Sequence, residues 1–208
     1  MSAPEALPRP RRRQAERSED TQKRLVMAAA ELIHQRGYAR LRTAEVADYA
    51  GVSKGAQLHH FKTKQELVAA TLRHVFAESN RIGRYRATHV TGDLIESLIE
   101  DAREFFFSKH FLVAVDISVS TATDDELRNE VYEISRAARL PVEAAWREAL
   151  QAAGLPAELA GPILALTLHI VRGAVIRRLW DDNPQELEAQ FALWRDMVRL
   201  YVAAQKPC

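Results

Sequence analysis

Between Gly51 and Phe61 the sequence reads GVSKGAQLHHF. This stretch gathers a cation (Lys54), an amide (Gln57) and two imidazoles (His59, His60). These side chains recognise rather than react. Lys54 offers a charge to a phosphate or a guanine edge, Gln57 matches an adenine edge or donates to a phosphate, and the histidines can donate to phosphate oxygens. Gly55 and Ala56 are small enough to let a helix start approach a duplex, where free amides and the positive helix end favour phosphate. Adjacent histidines point about 100° apart on a helix, which argues against a shared metal site. An ordinary solvated helix face would carry the same residues, so the reading depends on the elements that position them.

Those elements are three short helices. Leu25, Ala28, Ala29, Leu32 and Ile33 recur at helical spacing from about Ser18 to Gly37, where glycine supplies the stop. Thr43 reads as the N-cap of TAEVADYA, with Val46, Ala47 and Ala50 facing inward. Gly51 can take the positive φ that a tight turn requires, Ser53 caps the next helix, and Thr63 caps one beginning at Lys64. Val52, Leu58 and Phe61 are expected to point into the small core, leaving Lys54, Gly55, Ala56, Gln57, His59 and His60 around the exposed face. Two short helices joined by a glycine turn form a helix-turn-helix. Thr43 and Lys64, each at another helix start, would grip the flanking backbone.

Charge supports the same end of the chain. Residues 1–64 hold 13 Lys and Arg against 7 Asp and Glu, whereas residues 65–208 hold 16 against 21, although the whole chain is only +1. A basic front and an acidic rear suit a front that meets a polyanion; five of the front's cations lie in its Arg-rich tail, so chance clustering is the plainer alternative. Residues 1–17, Pro- and Arg-rich without periodicity, read as a disordered basic arm. The N-terminus lacks the apolar segment of a secretory signal, and no unbroken apolar run of membrane-spanning length occurs, so no membrane partner is expected. Cys208 is the single cysteine, which rules out an intrachain disulfide or a cysteine metal site and fits a reducing, cytoplasmic setting. Phosphate-binding glycine loops, GxSxG, HExxH and CxxC are absent, and acid pairs fall at helix boundaries, so neither enzyme activity nor a cofactor is expected.

The remainder also reads as helical, giving an all-α chain. Leu94, Ile95, Leu98, Ile99, Ala102, Phe105 and Phe106 form an amphipathic stripe over 91–108 after the cap candidate Thr91. Asp124 or Asp125 precedes a long helix to about Gly154, with Pro141 as a kink or break. A further segment runs from Pro156 to about Trp180, and a last helix from about Gln185 to Ala204. In that last helix Leu187, Phe191, Trp194, Val198 and Tyr201 are spaced four, three, four, three, which suits either packing within the domain or a helix–helix dimer interface. The aromatic-dense FFFSKHF, with Phe106 and His110, is either core or the wall of an apolar cavity to which Trp146, His169 and Arg172 add polar handles. His169 could equally be a satisfied core histidine, and Arg172 could meet either an acidic ligand or a surface acid.

The run from Thr21 to Leu72 resembles the DNA-binding domain of the TetR family of repressors, carried by RTAEVADYAGVSKGAQLHHFKTKQELV, Arg42 to Val68. The rest of the chain matches in helix number and spacing alone. The resemblance implies an N-terminal helix-turn-helix domain over 18–64 and a helical effector-binding and dimerisation domain over 65–208. It implies a homodimer on a palindromic operator in double-stranded DNA, released by a small-molecule effector that the cavity candidates make largely apolar. Arg42, Thr43, Ser53, Gly55, Ala56, His59, His60 and Lys64 would lie at the DNA, joined by Lys54 and Gln57. One departure stands out: where members often carry a Leu-Tyr pair before His-His, this chain has Gln57-Leu58, which removes a tyrosine hydroxyl and gives Gln57 a share of the recognition. Two other readings remain open, a DNA-binding protein without an effector and a small-molecule binding module that no longer reads DNA.

Overall fold

The computed structural model describes residues 10–204; residues 1–9 and 205–208 lie outside the described residues. Those described form nine α-helices and one 3-10 turn, without a strand. The helices are α1 (Pro10–Arg36), α2 (Thr43–Ala50), α3 (Lys54–His60), α4 (Lys64–Thr88), α5 (Leu94–Phe106), α6 (Lys109–Ser120), α7 (Asp125–Ala152), α8 (Ala157–Arg177) and α9 (Pro184–Ala204), with the 3-10 turn at Tyr38–Arg40.

Local chemistry sets most of the boundaries. Gly37 ends α1 at φ 82° and Gly51 ends α2 at φ 63°, both in the left-handed region that favours glycine. The hydroxyls of Ser53 and Thr63 accept from the amides of Ala56 and Glu66 at 3.1 and 3.0 Å, capping α3 and α4. Asp124 caps α7 through the amide of Leu127. Three expectations need correction. Residues 10–17, assigned to a disordered arm, are helical: proline is tolerated at a helix start, and the Arg, Gln, Ala and Glu that follow are good helix formers. Thr43 is the first residue of α2 and makes no capping bond; Arg42 holds the cap position. The stripe expected over 91–108 starts from Asp93, not Thr91, and stops at Phe106, after which Ser108 caps a separate α6.

Two apolar cores share α4. The first joins Leu25, Leu32, Val46 and Phe61 to Leu67, Leu72 and Val75 of α4, and continues into Ile117 of α6 and Val131 of α7. The second holds Leu98, Phe106, Trp146, Leu164, Val171, Phe191 and Val198, from α5 to α9. Helix α4 packs along α7 and against α1, so one element runs from the trihelical head into the C-terminal bundle. The approach is close at Gly83, where a Cβ would fall 2.9 Å from Val142 Cγ1. By length and composition α8 could cross a membrane, despite the expectation drawn from unbroken runs. Here it packs against α5, α7 and α9.

Candidate DNA-reading face and ligand cavity

The turn between α2 and α3 is held from both sides. Val52 N–H donates to Ala47 O at 3.0 Å, across an alanine that is fully buried. Arg24 of α1 donates to Gly51 O at 2.9 Å, pinning the turn to the first helix. Arg42, Ser53, Lys54, Gly55 and His59 are exposed on the resulting surface, and Thr43, Ala56 and His60 are half-buried at its edge. The rings of His59 and His60 meet edge to face at 5.4 Å. The exposed Arg40 and Lys62, which sequence reasoning passed over, flank the same elements.

Two members of the predicted set are placed otherwise. Gln57 is 1% exposed, and its Nε2 donates to Phe61 O at 2.8 Å, while Leu58 is 46% exposed. Gln57 lies one helical turn before Phe61 on the inward face, and its amide becomes acceptable there by satisfying a carbonyl just past the helix end. Leu58, about 100° further round, takes the outward position. Lys64 is half-buried: its Nζ donates to Tyr38 O at 3.0 Å and sits 4.2 Å from the centroid of the Tyr38 ring. Burial pushes its ammonium below the usual lysine range. The side chain ties α4 to the 3-10 turn instead of standing free for phosphate.

A family model described as bacterial regulatory proteins, tetR family, matches residues 25–71. The HTH-type transcriptional regulator CymR of Pseudomonas putida is 37% identical over 180 residues, covering 86% of this chain and 89% of that protein. The chain belongs to the TetR family. The regulator is also 41% identical to the HTH-type transcriptional regulator TtgR of Pseudomonas putida over 61 residues, 29% of each chain. A crystal structure of a transcriptional regulator from Rhodococcus sp. Rha1 superposes with a TM-score of 0.66 at 25% identity, over 85% of this chain and 94% of that one. It is therefore a transcriptional regulator with a DNA-binding helix-turn-helix, and not an enzyme.

In the regulator's C-terminal bundle, helices α4 to α8 line a cavity of about 430 Å³ that is open on one side to solvent. Its wall is largely aromatic. The rings of Phe106 and Phe111 stand edge to face at 4.8 Å, and Phe105 bridges them to Phe76 of α4. Phe106 and Phe111 are thus both core and cavity wall. Trp146 is 1% exposed and its Nε1 donates to Asp101 Oδ2 at 2.8 Å, with Arg86 of α4 at 3.6 Å from the other oxygen. Burial raises the Asp101 carboxyl above its ordinary range, against the opposing pull of the indole and Arg86. Arg139 pairs with Glu143 at 2.9 Å. Arg172 lies over the Phe106 ring at 4.9 Å and makes no hydrogen bond or ion pair among the described residues. Burial, then Arg139, holds its guanidinium below the usual arginine range.

Phe106, Trp146 and Arg172 therefore meet at one cavity, but the two histidines do not. His110 lines a separate cleft with Arg24, Tyr49 and His74, between the head and α4 and α6. His169 is exposed on the outer face of α8 beside Gly173 and Trp180, because residues 164 and 168 take the inward face, while Arg172 borders both the cavity and this outer cleft. Asp101, Arg139 and Glu143 were missed; each sits at the margin of an apolar stripe, where a charge normally faces water.

The seam in α9 also turns inward. Phe191 and Val198 are buried, Leu187 and Trp194 are half-buried in the second core, and Trp194 Nε1 donates to Thr167 Oγ1 of α8 at 3.0 Å. Tyr201 alone of the five is exposed. The outward face of α9 presents Leu193, Met197 and Leu200; α8 adds Leu166, and Trp180 in the turn after α8 is 78% exposed.

Proposed function

We propose that the regulator is a repressor that holds a palindromic operator as a homodimer and releases it when a small, largely apolar molecule enters the cavity. Arg42, Thr43, Ser53, Lys54, Gly55, Ala56, His59 and His60 form the DNA-facing set, and Leu58 joins them as an apolar contact for a thymine methyl. Gln57 and Lys64 position this surface from behind. The outward apolar face of α8 and α9 is the dimer contact, because a row of large exposed side chains on adjacent helices marks an interface. Two heads joined there must sit about 34–36 Å apart to enter successive major grooves.

The observation that carries the reading is the position of α4. Phe76, Ser79 and Asn80 line the cavity, while Lys64 at the same helix's start is bonded to the head. A ligand that prefers one setting of α4 therefore biases the head, and DNA must weaken that ligand in equal measure. The test is a selection of bound sequences from a random DNA pool, followed by fluorescence anisotropy on the selected site with and without a ligand panel. A two-fold symmetric site whose affinity falls with a cavity-binding compound supports the scheme. A site without symmetry, or release that survives filling the cavity by Ala102→Phe, overturns it.

A further inference from the structure

We propose that the effector is a monocarboxylate on an apolar body, with its carboxylate held by Arg172; this rests on the cavity being the effector site. The argument is one of charge matching. Four charged side chains line the cavity: Asp101, Arg139, Glu143 and Arg172. Asp101 already accepts the Trp146 indole N–H, and it shares Arg86 with Glu104. Glu143 already holds Arg139. Arg172 remains, half-buried, with an aromatic face as its neighbour and no acceptor for its N–H groups among the described residues. A guanidinium partly withdrawn from water is costly until acceptors reach it, and its planar fork fits the two oxygens of a carboxylate.

The count of charges limits the ligand further. One guanidinium without an acceptor among the described residues suits a single negative charge. A dianion such as a phosphate monoester would bring its second charge close to Glu143, whose field already acts on Arg172. A cationic ligand would need an unmatched acid, and both acids of the lining are engaged. With the carboxylate at Arg172 on α8, the apolar body lies among Phe76, Phe105 and Phe111, next to α4. An aryl acid and an alkyl acid share this chemistry.

The experiment measures binding to the full-length regulator by calorimetry. The probes are naphthoate and octanoate, their methyl esters, and the amines of matching skeleton. Each acid is expected to bind about tenfold to a hundredfold more tightly than its ester, the range set by one charge-assisted hydrogen-bonded pair. The better of the two acids assigns the body as aryl or alkyl. Arg172→Gln should erase the preference for acid over ester, and Arg172→Lys should keep part of it. The acid-to-ester comparison on the unaltered protein stands even if a variant fails to fold. Esters or amines binding as well as the acids would overturn the proposal and leave the cavity reading in place. No binding by any probe would remove both.

Discussion

Gln57→Ala separates two accounts of the recognition helix. In the structure the Gln57 amide is sealed from solvent and donates to Phe61 O at 2.8 Å. Alanine removes that bond and leaves a buried carbonyl without a partner, which costs about 1–3 kcal/mol. Emptying the space of the side chain beyond Cβ adds about 1 kcal/mol. A loss of about 2–4 kcal/mol in a chain of this length lowers the melting temperature by roughly 5–15 °C. Differential scanning calorimetry reads that shift, and a selection from random DNA reads base preference. The expected pair of results is a lower melting temperature and an unchanged preference. Gln57→Leu, which refills the space and loses only the bond, should fall between the two proteins. An unchanged melting temperature with an altered base preference would place Gln57 in the groove and refute the argument.

Lys64→Met should lower stability by about 1–2 kcal/mol through loss of a charge-assisted bond to Tyr38 O. Its salt slope for DNA binding should not change, whereas a slope smaller by about one unit would put Lys64 on a phosphate. His74 and His110 are both held below the usual histidine range, first by burial and then by neighbouring cations, His110 and Lys23 for the one and Lys109 and His34 for the other. The unfolded chain therefore binds protons that the folded one refuses, so stability is complete above the unfolded value of about 6.5 and is lost as pH falls through it. Melting curves should show that loss, and His74→Gln with His110→Gln should flatten it. Leu200→Glu, on the outward face of α9, should yield monomers by light scattering with little change in protomer melting. Phe191→Ala, on the inward face, should instead cost the protomer about 3–5 kcal/mol.

The trihelical head was legible because its signals are local. Gly37, Gly51, Ser53 and Thr63 act on backbone within four residues of themselves, and the structure places each at the boundary that chemistry requires. Gln57 and Leu58 were exchanged for a reason the sequence holds only weakly. Polarity argued for Gln57 outside and Leu58 inside, but helix phase places residue 57 on the Phe61 side, and a well-bonded amide tolerates burial there. The α9 seam shows a related limit. Its four-three spacing correctly marks one apolar stripe, yet spacing cannot say whether that stripe meets its own bundle or a second copy. The second stripe of Leu193, Met197 and Leu200 becomes visible only once the first is known to be filled. The cavity was partly legible: Phe106, Trp146 and Arg172 were named, but Asp101 and the Arg139–Glu143 pair belong to it through tertiary contacts that no spacing encodes.

One residue of the 3-10 turn, Tyr38, bonds to both α4 and α6. Tyr38 N–H donates to Asp116 Oδ2 of α6 at 2.6 Å, and Tyr38 O accepts from Lys64 Nζ of α4 at 3.0 Å. Asp116 follows Val115 and precedes Ser118 and Val119, all three in the cavity wall, while α4 contributes Phe76, Ser79 and Asn80. Helices α4 and α6 thus each touch the cavity at one point and the 3-10 turn at another. A ligand that alters the separation of α4 and α6 cannot preserve both bonds to Tyr38 unless the turn, and α2 behind it, moves as well. Gly83 sharpens the constraint, because its contact with Val142 leaves α4 little freedom to move toward α7. Under the proposed release by an effector, α4 would slide or pivot about that contact and carry its Lys64 end across the head. Coupling of about 1–3 kcal/mol, ordinary for linked sites, corresponds to the loss or remaking of the two bonds that meet on this turn.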